Sequence, residues 1–466
     1  MKPAARIAVA LLLLCGAFLS GCQSDRNNTV NNVSTSSSGE TNTAQGSNET
    51  ETNDPNTPIP ENVVWSGPVA SAFADGDGSE ANPYQIADAS QLAFLAKEIN
   101  SGKDYRGKYF SLTADIDLNH TEWVPIGNGT QPFSGTFLGN GHTIRNLNIQ
   151  NGVAHISNSY FSFSVSDDKK HNDYTFRDTE FYSLGLFGTC SDSVIRRLNI
   201  DNAEIRIPTP PDMYLVYAGV LMGSTFVSAN TEFSDIKISN ALISADLDNP
   251  GYYGGSIGGV IGGIETAFGS DLVAQRMQSD VKIIDPESVG TSIGGLIGSV
   301  EAFQKCTVRD CASYLTMDIA LEEDHHTFRS VGAIGSIFIV EDNIALSNIF
   351  SSITYREISN RIQDRKLNDR IYAVIGSKSY LEQPGDTANV NYQFQNLFGY
   401  VRQKFTHTNE ERITEELYAP FAENNYQESN CVGCTSLPEN HGFDPEIWDL
   451  SHPERPEIEI ITRKKV

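Results

Sequence analysis

Short apolar stretches that carry glycine recur between residues 184 and 400 of the chain. The clearest is SIGGLIGS at 292–299. Each of these stretches carries a glycine in a similar place: Gly188, Gly223, Gly262, Gly298, Gly335, Gly376 and Gly399. Successive glycines of this series are 35, 39, 36, 37, 41 and 23 residues apart. A spacing this regular predicts a solenoid, in which each repeat stacks on the one before it.

The segments between these glycines alternate apolar and polar residues, as strands with one buried face do. Examples are residues 194–200, 233–238 and 306–312, and a further apolar run at 315–321 follows the third of them. This pattern predicts an all-β coil with three short strands per turn. We expect the glycines to allow two backbones to approach closely, so that replacing Gly298 by valine should cost stability rather than activity.

One amphipathic helix is predicted before the repeats, over residues 88–100. Asp88 is a good N-cap and Gln91 follows it by three positions, which is the capping-box pattern. Leu92, Leu95 and Ile99 fall on one face of the helix. We expect this helix to cover the apolar surface that the first turn of a solenoid exposes.

The N-terminus has the pattern of a targeting segment. Lys2 and Arg6 precede an apolar run at 7–18 that is too short to span a membrane, and the run ends in LSGC with Cys22. This order resembles the lipobox of bacterial lipoproteins, in which the cysteine is lipidated. The resemblance implies a signal peptide at 1–22 and a membrane anchor on Cys22, and Gln23 favours the outer membrane of the bacterial envelope. The alternative is an ordinary secretory signal with a chance cysteine.

Residues 23–64 are rich in Asn, Ser, Thr and Glu, with almost no apolar residues. Such a segment cannot bury a core, so it is predicted to be a disordered tether. The formal net charge of the chain is −26. This charge repels phosphate backbones and argues against nucleic acid as a partner.

The cysteines leave several alternatives open. Cys431 and Cys434 form a CxxC, for which we predict a small-loop disulfide or unreactive thiols. A redox site would need a strand-to-helix setting that the flanking residues do not indicate. A zinc site would need further ligands, which Cys306 and Cys311 could supply, although no spacing rule connects the two pairs. No metal is therefore predicted.

Acidic residues offer two weak sites. Asp75, Asp77 and Ser79 begin like a calcium loop, but Glu80 and Ile86 stand where that loop needs Gly and Glu, so a turn is the better interpretation. Asp115 and Asp117 share a face of a strand and are interpreted as structural.

The densest polar cluster, Asp324-His325-His326, is interpreted as a loop tip, since neighbouring strand residues point to opposite faces. The chain contains no HExxH, GxSxG or GxxxxGK[ST] motif. We therefore predict no catalytic residue and no cofactor.

Residues 76–149 resemble the opening module of bacterial surface proteins that carry the GLUG motif. The resemblance rests on DGSEANPYQI, QLAFLAKEIN, LTADIDLN, EWVPIGN and FSGTFLGNGHTIRNLNI. Later stretches such as LGLFG with SVIRRLNI resemble the GLUG repeat itself, and WDLSHPERPEI from Trp448 resembles the usual close of such domains. The family implies a right-handed parallel β-helix of the pectin-lyase-like shape, surface display and sometimes adhesion. It supplies no catalytic residue.

These observations divide the chain into five parts. After the signal at 1–22 and the tether at 23–64 we expect an N-terminal cap with the first β-helix turns at 65–150, GLUG-like repeats with insertions at 151–430, and a closing segment at 431–466. The favoured function is a lipid-anchored, non-catalytic adhesin or scaffold that binds a host or matrix protein or a glycan. The alternatives are a polysaccharide-binding or polysaccharide-degrading lipoprotein and a passive envelope protein.

Overall fold

A computed structural model describes most of the chain beyond the tether. The described residues are 67–151, 154–165, 172–208, 214–227, 229, 231–245, 253–266, 271–284, 291–302, 305–321, 329–339, 344–359, 370–380, 392–407, 410–416, 427–429 and 431–458. Residues 61–160 and 178–466 belong to one compact unit, the solenoid body. Of the second unit, which contains residues 1–60 and 161–177, parts of two strands are described.

Within the described ranges the structure has one α-helix and many strands. The N-terminal elements are β1 (Tyr84–Ile86), α1 (Ala89–Asn100), β2 (Tyr109–Leu112), β3 (Ile116–Asp117), β4 (Thr136–Leu138), β5 (Thr143–Arg145), β6 (Asn148–Ile149), β7 (Ala154–Val165) and β8 (Asn172–Leu184). The central strands are β9 (Phe187–Ser191), β10 (Val194–Asp201), β11 (Glu204–Ile207), β12 (Tyr214–Gly219), β13 (Met222–Val227), β14 (Thr231–Ala245), β15 (Tyr253–Gly258), β16 (Ile261–Thr266), β17 (Leu272–Ile284) and β18 (Thr291–Ala302). The last strands are β19 (Cys306–Leu321), β20 (Arg329–Ile339), β21 (Ile344–Ser359), β22 (Arg370–Ile371), β23 (Ile375–Tyr380), β24 (Tyr392–His407), β25 (Glu410–Glu416), β26 (Gln427–Ser429), β27 (Val432–Gly433), β28 (Trp448–Asp449) and β29 (Glu457–Ile458).

The strands stack as a parallel β-solenoid, which confirms the predicted all-β class. One sheet, here called the long sheet, has the order β1-β2-β4-β10-β14-β17-β19-β21-β24 with every pair parallel. From β7 onward the chain returns between these strands through the second sheet, here called the bent sheet. Its first arm contains the end of β8, β12, β15, the N-terminal halves of β18 and β20, and β22. Its second arm contains β9, β13, β16, the C-terminal halves of β18 and β20, and β23.

Separate short strands, as predicted, are found in the first turns, for example β4, β5 and β6, whereas the strands of the long sheet from β14 onward bend without ending. In the long sheet one bend is made by a stacked column of residues that includes Asp235, Arg276 and Asp310, whose φ angles are 58°, 51° and 55°. Side chains along this column bond from turn to turn. The Arg276 guanidinium donates to both carboxylate oxygens of Asp235 at 2.5 and 2.9 Å, and Asn348 donates to Asp310 at 2.7 Å. A left-handed residue can therefore turn a corner while the ladder of backbone hydrogen bonds continues.

The repeated glycines allow the two arms of the bent sheet to meet. A Cβ on Gly298 would collide with the carbonyl oxygen of Gly262 and lie 2.7 Å from the backbone nitrogen of Ile257, on the first arm one turn away. The same collision, with the previous glycine of the series and the facing arm, is found at Gly262, Gly335 and Gly376. This close approach is the physical basis of the repeat in the sequence.

On its inner side, the bend of the bent sheet lies in close contact with the long sheet. Cβ atoms on Gly259 and Gly295 would collide with the hydroxyls of Ser279 and Ser313, which lie on the long sheet with their side chains inward. Gly399, placed in the glycine series by its sequence, belongs to this opposing column. It pairs with Ser351 in the long sheet and a Cβ there would lie 3.0 Å from that of Ala373. The series therefore ends at Gly376.

The N-terminal helix forms as the sequence predicts. The Asp88 carboxylate accepts from the Gln91 backbone amide at 3.0 Å, as the capping box requires. The Gln91 side chain accepts from the backbone amide of Ala87, one residue before the N-cap, at 2.7 Å, so the return bond of the box is shifted by one residue. Leu92, Leu95 and Ile99 are buried in the main core. The helix precedes β2 in the chain and its apolar face joins the first turns, in agreement with a capping role.

The C-terminal segment lies along the outer face of the long sheet. Residues 431–458, here called the strap, begin at β27 beside the last long strand, β24, as a closing segment would. The strap then runs back over earlier turns. Tyr314 on β19 donates to the Pro456 carbonyl at 2.6 Å, and the Ile458 amide donates to Gln278 on β17 at 2.7 Å. Its apolar side chains form a second core cluster with the long sheet: Ala312, Tyr314, Phe350, Phe398, Leu437, Phe443, Trp448 and Ile458.

Candidate functional site in an outer crease

The bent sheet forms a crease on the outer surface of the solenoid. Ser256 and Ser299 each precede a core residue, so their side chains point outward. The Ser256 hydroxyl nevertheless donates to that of Ser299 at 2.7 Å, although the two serines lie on different arms and adjacent turns. Outward side chains can meet only where the outer face is concave. The pair Ser292 and Ser336 repeats this contact one turn on, also at 2.7 Å.

The floor of the crease is closed. Ser224, Ser256 and Ser299 are about 95 % buried, at 5 %, 5 % and 6 % exposure, and the column of glycines lies directly beside them. Since the hydroxyls bond to one another, the floor is satisfied without water. Any ligand must therefore contact the walls rather than the floor.

The walls carry aromatic and acidic side chains. Phe226 on the second arm is 41 % exposed, one of the few large apolar side chains in the described residues with this exposure. The Tyr217 ring on the first arm covers Gly263, where a Cβ would lie 2.6 Å from the ring. Phe181 stands next along the first arm, with its ring centroid 6.3 Å from that of Tyr217.

Two glutamates follow Phe226 along the second arm. In the parallel register Phe226 pairs with Glu265, and Glu265 pairs with Glu301, so the three residues occupy one column on successive turns. Neighbouring strands are about 4.8 Å apart, which brings the two half-buried carboxyls close together. This column is the candidate functional site.

The environment of the pair favours the neutral acid. Burial raises the pKa of Glu265 to about 7. Burial and the neighbouring charge of Glu265 raise the pKa of Glu301 well above its usual range. Two close carboxyls of this kind titrate as a pair and retain a proton near neutral pH.

The glutamate pair should make stability depend on pH. A carboxyl whose pKa is higher in the folded than in the unfolded chain binds its proton more tightly when folded, so stability falls as pH rises from about 4.5 towards 7. We expect Glu265→Gln to remove part of this fall and to stabilise the protein at pH 8 by about 1–3 kcal/mol. Urea unfolding at pH 5 and pH 8 measures the effect.

The control for this experiment is Glu439→Gln, which removes the same charge from an exposed position on the strap. This variant should show the same difference in unfolding free energy between pH 5 and pH 8 as the wild type. If Glu265→Gln and Glu439→Gln changed the pH dependence of stability equally, the glutamate pair of the crease would not be its source.

The acidic residues singled out by sequence have structural roles. The Asp115 carboxylate accepts from the Thr143 amide and from the side chains of Arg145 and His142, at 3.1, 3.0 and 3.2 Å. Asp117 accepts from the Asn146 side chain at 2.7 Å. The Thr143 amide, Arg145 and His142 hold the pKa of Asp115 below its usual range. Both aspartates join consecutive turns, as their structural interpretation requires.

The residues of the calcium-like loop also bond locally. The Asp77 carboxylate accepts from the Ser79 amide at 2.8 Å, and the Asp75 carboxylate accepts from the Gly76 amide at 2.7 Å. The φ angles of Gly76 and Gly78 are 94° and 75°, which only glycine adopts readily. The segment is therefore a tight turn, as interpreted.

Cys431 and Cys434 do not form a disulfide in the structure. Cys431 packs on the main core and Cys434 on the second cluster, because the two residues between them pair with β24. The disulfide stays a prediction. Cys306 and Cys311 are fully buried in the main core, and burial raises the pKa of each thiol to about 12. In the described part of the chain, no group of three or more Cys, His, Asp or Glu is arranged to hold a metal.

Three predicted features lie outside the described residues: Cys22 with its signal segment, the tether at 23–64, and Asp324-His325-His326. Among the helices of the described residues, none is both long and apolar enough to cross a membrane.

Sequence reasoning missed the glutamate pair, although a signal was present. Glu265 and Glu301 each follow a glycine of the repeat, Gly262 and Gly298, by three residues. Equivalent positions in a solenoid stack on successive turns. The repeat period could therefore have placed the two carboxyls side by side, but not their burial.

Comparison with known proteins gives partial similarities. No protein-family model matches the chain. The chain is 24 % identical over 159 residues to a "Putative Gly-rich membrane protein" of Evansella cellulosilytica, and 27 % identical over 150 residues to halomucin of Haloquadratum walsbyi. These matches cover 34 % and 30 % of this chain but 15 % and 1 % of the relatives' lengths.

Among solved structures, the crystal structure of a "putative immunoglobulin A1 protease from Bacteroides ovatus" aligns with this chain. The TM-score is 0.48 and the sequence identity 16 %, over 84 % of this chain and 96 % of that one.

Proposed function

We propose that this protein is a non-catalytic solenoid of the bacterial envelope that binds a partner along its flank. The proposal rests on one observation: one outer face of the solenoid is covered by the strap, and the crease on the other face is not. The strap covers the aromatic residues of the long sheet, whereas the crease of the bent sheet leaves Phe226 41 % exposed beside two glutamates. Protein interfaces are enriched in aromatic residues and have polar groups at their rim, and the exposed Phe226 with the partly exposed Tyr217 and the two glutamates has that composition.

The location in the envelope is part of the proposal. It is supported by the N-terminal lipobox with Cys22, by the membrane-protein description of one relative and by the resemblance to GLUG-motif surface proteins. In this proposal lipid chains on Cys22 anchor the protein in the outer membrane and residues 23–64 hold the solenoid away from it. The large negative charge keeps the body off an anionic lipid surface.

Cys22→Ser tests the anchor. The variant should take up no labelled palmitate and should appear in the soluble fraction, because the thiol that carries the lipid is missing. The same cells with Cys190→Ser, which alters a buried cysteine of the body, should label and fractionate like the wild type. Palmitate incorporation in Cys22→Ser would disprove the lipobox assignment.

Binding is tested with the purified body on an array of matrix proteins, basic and acidic peptides, and glycans. Retention of at least one class is expected. Absence of retention of every class, by a protein shown to be folded, would contradict the proposal.

A second function is favoured by the glutamate pair, namely hydrolysis of a polysaccharide. Retaining glycosidases use two carboxyls about 5 Å apart: one donates a proton to the leaving glycosidic oxygen while the other attacks the sugar carbon. Water then hydrolyses the resulting glycosyl ester, with the first carboxylate accepting the proton of that water. Glu265 and Glu301 have the required proximity and mixed protonation near neutral pH. Release of reducing ends that is lost in Glu301→Gln would establish the enzyme, and no release from neutral and acidic glycans would exclude it.

A further inference from the structure

The two cysteines of the CxxC motif contact different cores at the start of the strap. The two residues between them form β27 and pair in parallel with Phe398 and Gly399 of β24. Cys431 packs against the main core of the solenoid, whereas Cys434 packs against the second cluster, which lies beneath the strap. Successive side chains of a strand point to opposite faces, so residues three positions apart are directed away from each other.

This arrangement holds the two thiols too far apart to form a disulfide. A strand rises about 3.3 Å per residue, so the Cα atoms of Cys431 and Cys434 are about 10 Å apart while β27 is paired. A disulfide requires Cα atoms about 4.4–6.8 Å apart and Cβ atoms directed towards each other. The chain must therefore turn back between the two cysteines and leave β24 before the bond can close.

Loss of β27 would loosen the strap where it begins. The Cys434 backbone amide donates to the Gly399 carbonyl oxygen at 2.9 Å, and its side chain contacts the cluster that contains Phe443 and Trp448. Both contacts break if Cys434 moves towards Cys431. The strap covers aromatic side chains of the long sheet, so its opening would uncover an apolar face.

We propose that Cys431 and Cys434 form a redox latch for the strap. In the dithiol form β27 pairs with β24 and the strap is closed, whereas the disulfide excludes this pairing and opens the strap. The inference concerns the face beneath the strap and goes beyond the binding function proposed above, because it holds whether or not the crease binds a partner.

The chemical step is exchange with a disulfide oxidant. One cysteine thiolate attacks a sulfur of the oxidant and displaces a thiolate, and the second cysteine then attacks the mixed disulfide and releases the other half of the oxidant. The two cysteines lose two electrons and two protons, and the oxidant leaves as two thiols. Both cysteines are partly exposed and within reach of an oxidant, unlike the fully buried thiols Cys190, Cys306 and Cys311.

A redox titration of the full chain with reduced and oxidised glutathione tests the latch. Mass spectrometry of the peptide that carries both cysteines measures the disulfide, and a synthetic peptide of residues 427–438, which lacks β24, is the reference. The equilibrium constant for oxidation should be at least tenfold smaller in the chain than in the peptide, because the pairing of β27 stabilises the dithiol. This ratio corresponds to a reduction potential about 30 mV higher in the chain.

The reciprocal effect should appear in the strap. Amide hydrogen exchange over residues 435–458 should be at least tenfold faster in the oxidised than in the reduced chain, because two coupled equilibria shift each other by the same factor. Strands β14 and β17 should keep their protection. Cys431→Ser/Cys434→Ser, which cannot form the disulfide, should exchange like the reduced chain with or without oxidant, and Cys190→Ser should respond like the wild type.

Detachment of the strap by Trp448→Ala should also move the oxidation constant at least threefold towards that of the peptide. This variant decides the case of a chain that stays reduced throughout the titration: restored oxidation would support the latch, and continued resistance would overturn it.

Three further results would contradict the inference: an oxidation constant equal to that of the peptide, unchanged exchange over residues 435–458 in a chain that contains the disulfide, or a disulfide that joins Cys431 or Cys434 to a different cysteine. Each of them would leave binding on the array of matrix proteins, peptides and glycans untouched. Failure of the latch and failure of the proposed function are therefore distinguishable.

Discussion

Gly298→Ala is expected to destabilise the solenoid by about 4 kcal/mol or more, among the largest effects of a single methyl group. The added Cβ would collide with the Gly262 carbonyl oxygen and lie 2.7 Å from the Ile257 backbone nitrogen. Neither atom is at the end of a flexible side chain, so the two arms of the bent sheet must separate. Urea unfolding followed by circular dichroism measures the loss, and Gly298→Val should lose more.

Gly107→Ala is the control for this prediction. A Cβ there would meet nothing within 4 Å, and its cost comes from the positive φ of 71° alone, about 1–2 kcal/mol. A Gly298→Ala variant no less stable than Gly107→Ala would show that the arms can adjust, and that the repeated glycine is not required for their approach.

Trp448→Ala is expected to detach the strap while leaving the solenoid folded. Trp448 is 2 % exposed and contacts Phe443 edge-on, with ring centroids 5.1 Å apart. Removing a buried tryptophan costs about 3–5 kcal/mol. Its cluster is separate from the main core, so the loss should fall on the strap rather than on the stacked turns.

Thiol labelling measures the detachment. Burial raises the pKa of the half-buried Cys434 thiol, so release of the strap should expose it and increase its labelling rate at least tenfold at pH 8. Cys190, Cys306 and Cys311 lie in the main core and should stay unlabelled. Mass spectrometry of the labelled peptides assigns each site.

Trp448→Phe separates packing from hydrogen bonding. The indole nitrogen of Trp448 is buried without a hydrogen-bond partner, so phenylalanine removes volume but also an unsatisfied donor. The Cys434 labelling rate should stay close to that of the wild type in this variant. Wild-type labelling in Trp448→Ala as well would show that the polar contacts of Tyr314, Arg455 and Gln278 hold the strap by themselves.

The elements that depend on local pattern were predictable. The N-cap bond between Asp88 and Gln91 needs only residues close in sequence, and the helix begins and ends within a residue of its predicted limits. The stacked architecture was predictable for a related reason, because a constant glycine period means that each turn repeats the same backbone constraint. The structural interpretation of Asp115 and Asp117 agrees with the structure, but the bonds that they make, to Thr143 and Asn146 on the next turn, could not be predicted from local pattern.

The predicted short strands are found in the first turns but not in the later ones, where the strands of the long sheet are continuous, and the reason is physical. Residues such as Asp235 and Asn348 adopt left-handed φ angles, of 58° and 53°, and turn the chain while the ladder continues. A non-glycine residue at such a corner carries little signal in the sequence. The assignment of Gly399 to the repeated series was also wrong. Glycine occurs on both the bent sheet and the long sheet where the two approach closely, and the residue type does not show to which sheet a glycine belongs.

The sequence by itself determined the all-β class, the repeat, the N-terminal cap and the expectation that any ligand would meet the outer surfaces. These follow from periodicity and from contacts between near neighbours. The tertiary structure alone decided that the bent sheet is creased, that the strap covers one flank, and that Glu265 and Glu301 share a half-buried column beside Phe226. Burial and charge proximity depend on what packs over a residue, and here that packing joins residues 36 or more positions apart.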